Sequence, residues 1–195
     1  LVGFDSRAPL RRAGLYPAYK AHRPAKPADL VTQLEAAPAL LAAGGVPVVV
    51  AAGAEADDVL ASAARVARSV GWRTVLLTGD RDAFALLDAT TSVLWLRRGG
   101  VGGAPLVDPV WLEQRYGVTP AQYPCFAALR GDPSDNLPGV RGVGTVLAAR
   151  LVQAFGSAQG VFDAVDCGRG EEIEAVTGPG VRATLAGAAA RAEVE

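Results

Sequence analysis

Methionine is absent from this 195-residue chain, histidine occurs once and cysteine twice. Cys125 and Cys167 are too few for a disulfide framework and too loosely placed for a zinc set, so they read as free thiols of a reducing compartment. His22 has no second His or Cys to share a metal with and reads as a surface residue. No apolar run approaches the roughly 20 residues that cross a bilayer, and no basic segment followed by an apolar one opens the chain. A soluble cytoplasmic protein with no membrane partner is therefore expected. Net charge is lacking too: 19 basic residues against 20 acidic ones leave −1. Any nucleic-acid binding must then come from local patches. The chain opens at Leu1-Val2-Gly3-Phe4-Asp5, already the body of a strand, and closes at Ala190-Arg191-Ala192-Glu193-Val194-Glu195 in a helical pattern without a stop signal. With methionine missing, these ends give the expectation of a fragment.

Half of the residues are hydrophobic and a fifth are charged, a globular composition. The length suits one sizeable domain, or a main domain with a helical appendix. Short Val-rich runs at 1–4, 46–51, 74–78 and 93–96, bounded by Gly, Asp or Pro, suit buried parallel strands. Helical patterns at 28–43, 55–70 and 82–88 alternate with them, which is an α/β layout. Beyond Gly99-Gly100-Val101-Gly102-Gly103 the strand signal fades. Helices are expected at about 109–116, 120–130, 143–155, 157–165, 170–177 and 180–192. The boundary falls near residue 105, dividing an α/β core (1–105) from a helical region (106–195).

Ligands of open parallel sheets bind beyond the carboxyl ends of the strands. Asp5 follows the first apolar run, Glu55, Asp57 and Asp58 open the helix after the second, and Asp80 and Asp82 follow the third. Each has a local reading as a helix cap or turn residue. Together on one rim they would repel and raise one another's pKa values unless cations neutralised them, which makes a hard-metal site the economical reading. Oxygen ligands without His or Cys point to Mg²⁺ or Mn²⁺, and such ions serve phosphoryl transfer or phosphodiester hydrolysis. Asp132 and Asp135, three apart in Gly131-Asp132-Pro133-Ser134-Asp135-Asn136, reach either a second metal or an Asx-turn.

Leu137-Pro138-Gly139-Val140-Arg141-Gly142-Val143-Gly144 leads into a helix and permits close approach of backbone N–H groups to a phosphate, although a plain helix–helix connection has the same pattern. Tyr16-Pro17-Ala18-Tyr19-Lys20-Ala21-His22-Arg23 interleaves aromatic and basic groups, as a base-stacking clamp or a solvated loop would.

Phe4-Asp5, Tyr19-Lys20-Ala21-His22-Arg23, Ala54-Glu55-Ala56-Asp57-Asp58-Val59, Thr78-Gly79-Asp80-Arg81-Asp82 and Gly131 through Val140 occur in one order. That ordered set resembles the flap endonuclease superfamily, which includes the 5′-nuclease domain of bacterial DNA polymerase I and its stand-alone relatives. The resemblance implies a mostly parallel sheet flanked by helices, the PIN-like 5′-nuclease fold, followed by a helix-hairpin-helix (helix-3-turn-helix) region at about 131–156. It implies that Asp5, Glu55, Asp57, Asp58, Asp80 and Asp82 hold or position a first Mg²⁺ or Mn²⁺, with Asp132 and Asp135 contributing to a second. Lys20 and Arg23 resemble the basic pair that meets the scissile phosphate, and Tyr19 a residue that stacks on the terminal nucleotide. Gly139, Val140, Gly142, Val143 and Gly144 resemble the turn that grips duplex backbone and often carries K⁺ on its carbonyls. The pattern departs from the family at two places. Relatives begin with an earlier strand bearing another metal-site Asp, and Val146-Leu147 stands where the family commonly has Lys-Thr.

The function so implied is divalent-metal-dependent 5′-3′ exonuclease or flap endonuclease action in replication and repair, in the bacterial nucleoid. The substrate so implied is DNA with a 5′ flap, nick or 5′ end, and the partner so implied is a DNA polymerase. The alternatives are a junction-binding protein with a vestigial nuclease and, from the carboxylate rim alone, an α/β phosphatase.

Overall fold

Val48-Val49-Val50 and Val2-Gly3-Phe4 are short runs of β-branched, aromatic and small residues bounded by Pro, Ala and Asp, and they pair in parallel as β2 (Val48–Val50) and β1 (Val2–Phe4). The computed structural model describes residues 1–187, and the chain falls into two units, Leu1–Val66 and Ala67–Glu195. In the first unit, β1 leads to α1 (Arg11–Leu15) and α2 (Ala28–Ala43). Pro27, with φ already near the helical value, starts α2, and Gly44 ends it. After β2 comes α3 (Ala56–Ser69), with Asp57 and Asp58 in its first turn, where the helix dipole favours negative charge. None of the α2 side chains is buried; of this unit's described residues, Glu55, Val59 and Ala64 are.

The second unit contains β3 (Thr74–Thr78) and β4 (Thr91–Trp95), parallel in the register Thr74↔Thr91 to Thr78↔Trp95, and β5 (Leu106–Val107), antiparallel to β4. Strand alternation sends Leu76, Val93 and Val107 into the core while Val75, Leu77 and Leu106 stay exposed. Against the buried face lies a ring cluster of Phe84, Trp95, Trp111, Tyr116, Tyr123 and Phe126, with centroids 5.4–6.4 Å apart in mostly edge-on or tilted pairs. Helices α4 (Pro109–Tyr116), α5 (Tyr123–Arg130), α6 (Thr145–Phe155), α7 (Ala158–Asp166), α8 (Gly170–Thr177) and α9 (Val181–Leu185) follow. Asp108 and Ser157 cap α4 and α7 through their side-chain oxygens, and Thr119 with Gln122 forms a capping box ahead of α5.

The strands pair mostly in parallel, as expected, as β1–β2 in the first unit and β3–β4–β5 in the second. Two features differ from the sequence expectation. A fifth strand, β5, arises because the glycine-rich turn lets Leu106 and Val107 fold back onto Leu94 and Val93. Helix α1 forms between Pro9 and Pro17, where no helix is expected; the Arg11 N–H donates to the Gly53 carbonyl and so ties its start to the residues after β2. The helix expected over 180–192 is seen as α9, and residues 188–192 lie outside the described residues. Among the described residues no helix is long and apolar enough to cross a membrane.

Candidate functional site

In the first unit the basic-aromatic segment closes onto one buried carboxylate. Residues 16–23 coil through successive turns, Tyr19 N–H to Tyr16 O, Ala21 N–H to Ala18 O and Arg23 N–H to Lys20 O. These turns hold Lys20 at φ 55°, left-handed backbone that costs a non-glycine residue roughly 1–3 kcal/mol and persists where the surroundings over-determine it. The Lys20 ammonium donates to Glu55 Oε1, and the Tyr19 hydroxyl donates to Glu55 Oε2 at 2.8 Å. Lys20 Nζ also lies 4.7 Å from the centre of the Tyr19 ring. Glu55 is only 5% exposed, so these donors replace water.

A residue with no signal in the sequence completes the cluster. Arg12, from α1, donates through Nη1 and Nη2 to Asp58 Oδ2 and Oδ1 at 2.8 and 2.7 Å, and through Nη1 to Glu55 Oε2 at 3.0 Å. Its partners lie 43 and 46 residues further along, so no local motif announces it. The Arg12 hydrogen bond holds the Asp58 carboxyl down at about 2, and the same bond raises the guanidinium above its ordinary range. Asp58 Oδ2 also accepts the Glu55 N–H, and Asp5 Oδ1 accepts the Ala56 N–H, so both serve the start of α3 as well.

In the second unit Asp80 follows β3, as the sequence implies, and its Oδ1 accepts the Asp82 N–H. Asp132 and Asp135 lie on a tightly closed loop. The Asp132 and Leu137 backbones exchange two hydrogen bonds, and the Val140 N–H donates to Leu129 O. Burial pushes the Asp132 carboxyl up, but Ser134, through its hydroxyl and N–H, together with Arg81 and Arg130, outweighs this and leaves it below the usual carboxylate range. Asp135 is buried. Gly131 and Gly139 make the closure possible, since both have positive φ and each presses against the other's backbone.

Beyond this loop, Val140 and Val143 are buried and can offer a ligand only their backbone, whereas Arg141, Gly142 and Gly144 are exposed. Gly144 starts α6 without a side-chain cap, leaving first-turn N–H groups for solvent or an anion. Val146 stands exposed on that first turn.

The donor set is all oxygen and suits a hard divalent cation in kind. In arrangement, no three such side chains among the described residues already surround one point. Arg12, Lys20 and Tyr19 donate to Glu55 and Asp58 in the first unit, and Asp5, Asp80 and Asp132 each accept nearby N–H groups.

Two family descriptions match the chain end to end: "5′-3′ exonuclease, N-terminal resolvase-like domain" over residues 1–117, and "5′-3′ exonuclease, C-terminal SAM fold" over residues 118–194. The chain belongs to the 5′-3′ exonuclease family. It is 43% identical to DNA polymerase I of Mycobacterium leprae over 175 residues, which is 90% of this chain and 19% of that protein. With the thermostable DNA polymerase I of Thermus thermophilus it shares 39% over 166 residues, 85% of this chain and 19% of that protein. The chain therefore spans about a fifth of the length of these curated relatives. A structure of T5 5′-exonuclease with bound divalent zinc ions matches 98% of this chain and 69% of that one, with a TM-score of 0.75 and 20% identity. The catalytic core of Rad2 with a DNA substrate matches 94% and 55%, with a TM-score of 0.57 and 18% identity. These likenesses establish the 5′-3′ exonuclease fold, an α/β resolvase-like part followed by a helical part.

Proposed function

We propose that this 5′-3′ exonuclease domain hydrolyses DNA phosphodiesters near the junction of single-stranded and duplex DNA, as a divalent-metal-dependent 5′-3′ exonuclease and flap endonuclease. The observation that carries the reading is the convergence of Lys20 and Tyr19, from one segment of the family pattern, on buried Glu55, from another. Asp5, Glu55, Asp57, Asp80 and Asp82, with Asp132 and Asp135, would hold two or more Mg²⁺ or Mn²⁺ ions. Bound ions supply polarisation of the phosphodiester and activation of water.

The remaining work falls to the chain's own groups. Lys20 and Arg23 stabilise the charge that develops on the phosphate, and the buried setting of Glu55 strengthens such interactions. Tyr19 stacks on the terminal nucleotide. The turn at Gly139, Val140, Gly142, Val143 and Gly144 and the uncapped start of α6 take duplex backbone through N–H groups, with K⁺ on the turn's carbonyls. The DNA carries a 5′ flap, nick or 5′ end, and a polymerase domain is the natural partner, since the relatives at 39–43% identity are DNA polymerases I. The site of action is the bacterial cytoplasm at the nucleoid.

Incubation with a 5′-labelled flap duplex, a labelled single strand and an aryl phosphate, each with Mg²⁺ or Mn²⁺, tests the reading. Short 5′ products from the flap alone support it. Hydrolysis of the aryl phosphate with intact DNA sinks it, and a gel shift without cleavage assigns the chain to junction binding.

A further inference from the structure

The family pattern places Asp58 among the metal-site carboxylates, but its contacts describe a different task. Both of its oxygens face the Arg12 guanidinium in an end-on pair through Nη2 and Nη1 at 2.7 and 2.8 Å, and Oδ2 takes the Glu55 N–H at 2.9 Å as well. Such paired, charge-assisted bonds are among the stronger polar contacts a protein makes. A cation taking the place of Arg12 at Asp58 would break both of these bonds, and one seated on Oδ2 would compete with the N-terminal backbone contact of α3 as well. Glu55 is held differently, by three separate donors from Lys20, Tyr19 and Arg12, so it can exchange one without losing the others.

We propose that Asp58 is a positioning residue that seats Arg12, and that Arg12 is a phosphate contact of the nuclease. This rests on the nuclease reading above. The three contacts use three of the five guanidinium donors, and the side chain is 45% exposed, so it is accessible from solvent. Glu55 would hold the cation, and the pair with Asp58 would keep the Arg12 guanidinium beside it, leaving the Nη1 donor that now meets Glu55 for a phosphate next to Lys20. Lysine is an incomplete substitute at position 12, because its ammonium lacks the planar fork that meets both oxygens of Asp58 while a further donor faces outward.

Two readouts separate this from a metal-ligand role, with circular dichroism verifying that each variant is folded. Mn²⁺ affinity, from the free-ion signal in electron paramagnetic resonance, should fall at least about tenfold in Glu55→Gln and less than about twofold in Asp58→Asn. Binding of a fluorescent 5′-flap duplex in Ca²⁺ should weaken roughly tenfold in Arg12→Ala and in Asp58→Asn. The double variant should lose no more than either single one, and Arg12→Lys should recover only part of the loss. Loss of Mn²⁺ in Asp58→Asn equal to that in Glu55→Gln would make Asp58 a ligand and overturn the assignment. So would losses that multiply in the double variant, or a parent chain whose flap binding is indifferent to Arg12. If the parent binds no Mn²⁺, the nuclease reading fails, while the double-variant comparison still decides the Arg12–Asp58 coupling.

Discussion

Gly131 and Gly139 stand backbone to backbone: a Cβ on Gly139 would fall 2.3 Å from the Gly131 nitrogen, and one on Gly131 would fall 2.5 Å from the Pro138 carbonyl oxygen. Both residues also have left-handed φ, at 78° and 64°. The closed loop that carries Asp132 and Asp135 thus depends on two missing side chains. Gly139→Ala combines a steric clash with backbone strain and should cost roughly 2–3 kcal/mol in urea unfolding. A loss below about 0.5 kcal/mol would show that the loop relaxes freely.

The Arg12–Asp58 pair predicts a pH dependence of stability. The folded carboxyl titrates at about 2 against an ordinary 3.8, so its contribution is complete above pH 3.8 and disappears as the pH falls towards 2. The pair is more than a third exposed, which limits the contribution to about 1 kcal/mol or less. The melting-temperature advantage of the parent over Asp58→Asn should therefore hold from pH 7 to pH 5 and shrink below about pH 4. An advantage unchanged down to pH 2 would mean that the carboxylate charge is not what stabilises the pair.

Most of the α/β alternation was legible because its periods are strong: the Val-rich runs gave β1 to β4, and Pro27 and Gly44 bracketed α2. What the sequence could not display were features made by tertiary contacts. Helix α1 is five residues long with a glycine inside, and it is anchored where Arg11 meets Gly53 and Arg12 meets Glu55 and Asp58. The two-residue β5 exists only as a partner for β4. The carboxylates of the candidate site were named from their order along the chain. Which oxygen each cation takes, and that Asp58 is bound to Arg12, depends on side-chain geometry that spacing does not encode.

Val146 is exposed on the uncapped first turn of α6, beside the exposed Arg141–Gly142 turn. Val146→Lys should add one phosphate contact, strengthening duplex binding and steepening the dependence of log K on log salt by about 0.9. Anisotropy titrations between about 50 and 200 mM salt measure it. An unchanged slope would place α6 away from the duplex.

The central claim is that carboxylates from separate parts of the sequence hold catalytic metal ions for cleavage of DNA. The most direct measurement compares the parent chain with Asp135→Asn on a 5′-labelled flap duplex, scoring products on a gel and binding by anisotropy in the same buffer, with Mg²⁺ and with chelator. The account predicts short 5′ products from the parent with Mg²⁺, none from the variant or with chelator, and flap binding that is similar in parent and variant. Cleavage by Asp135→Asn at the parent rate, or cleavage that survives chelation, would contradict it.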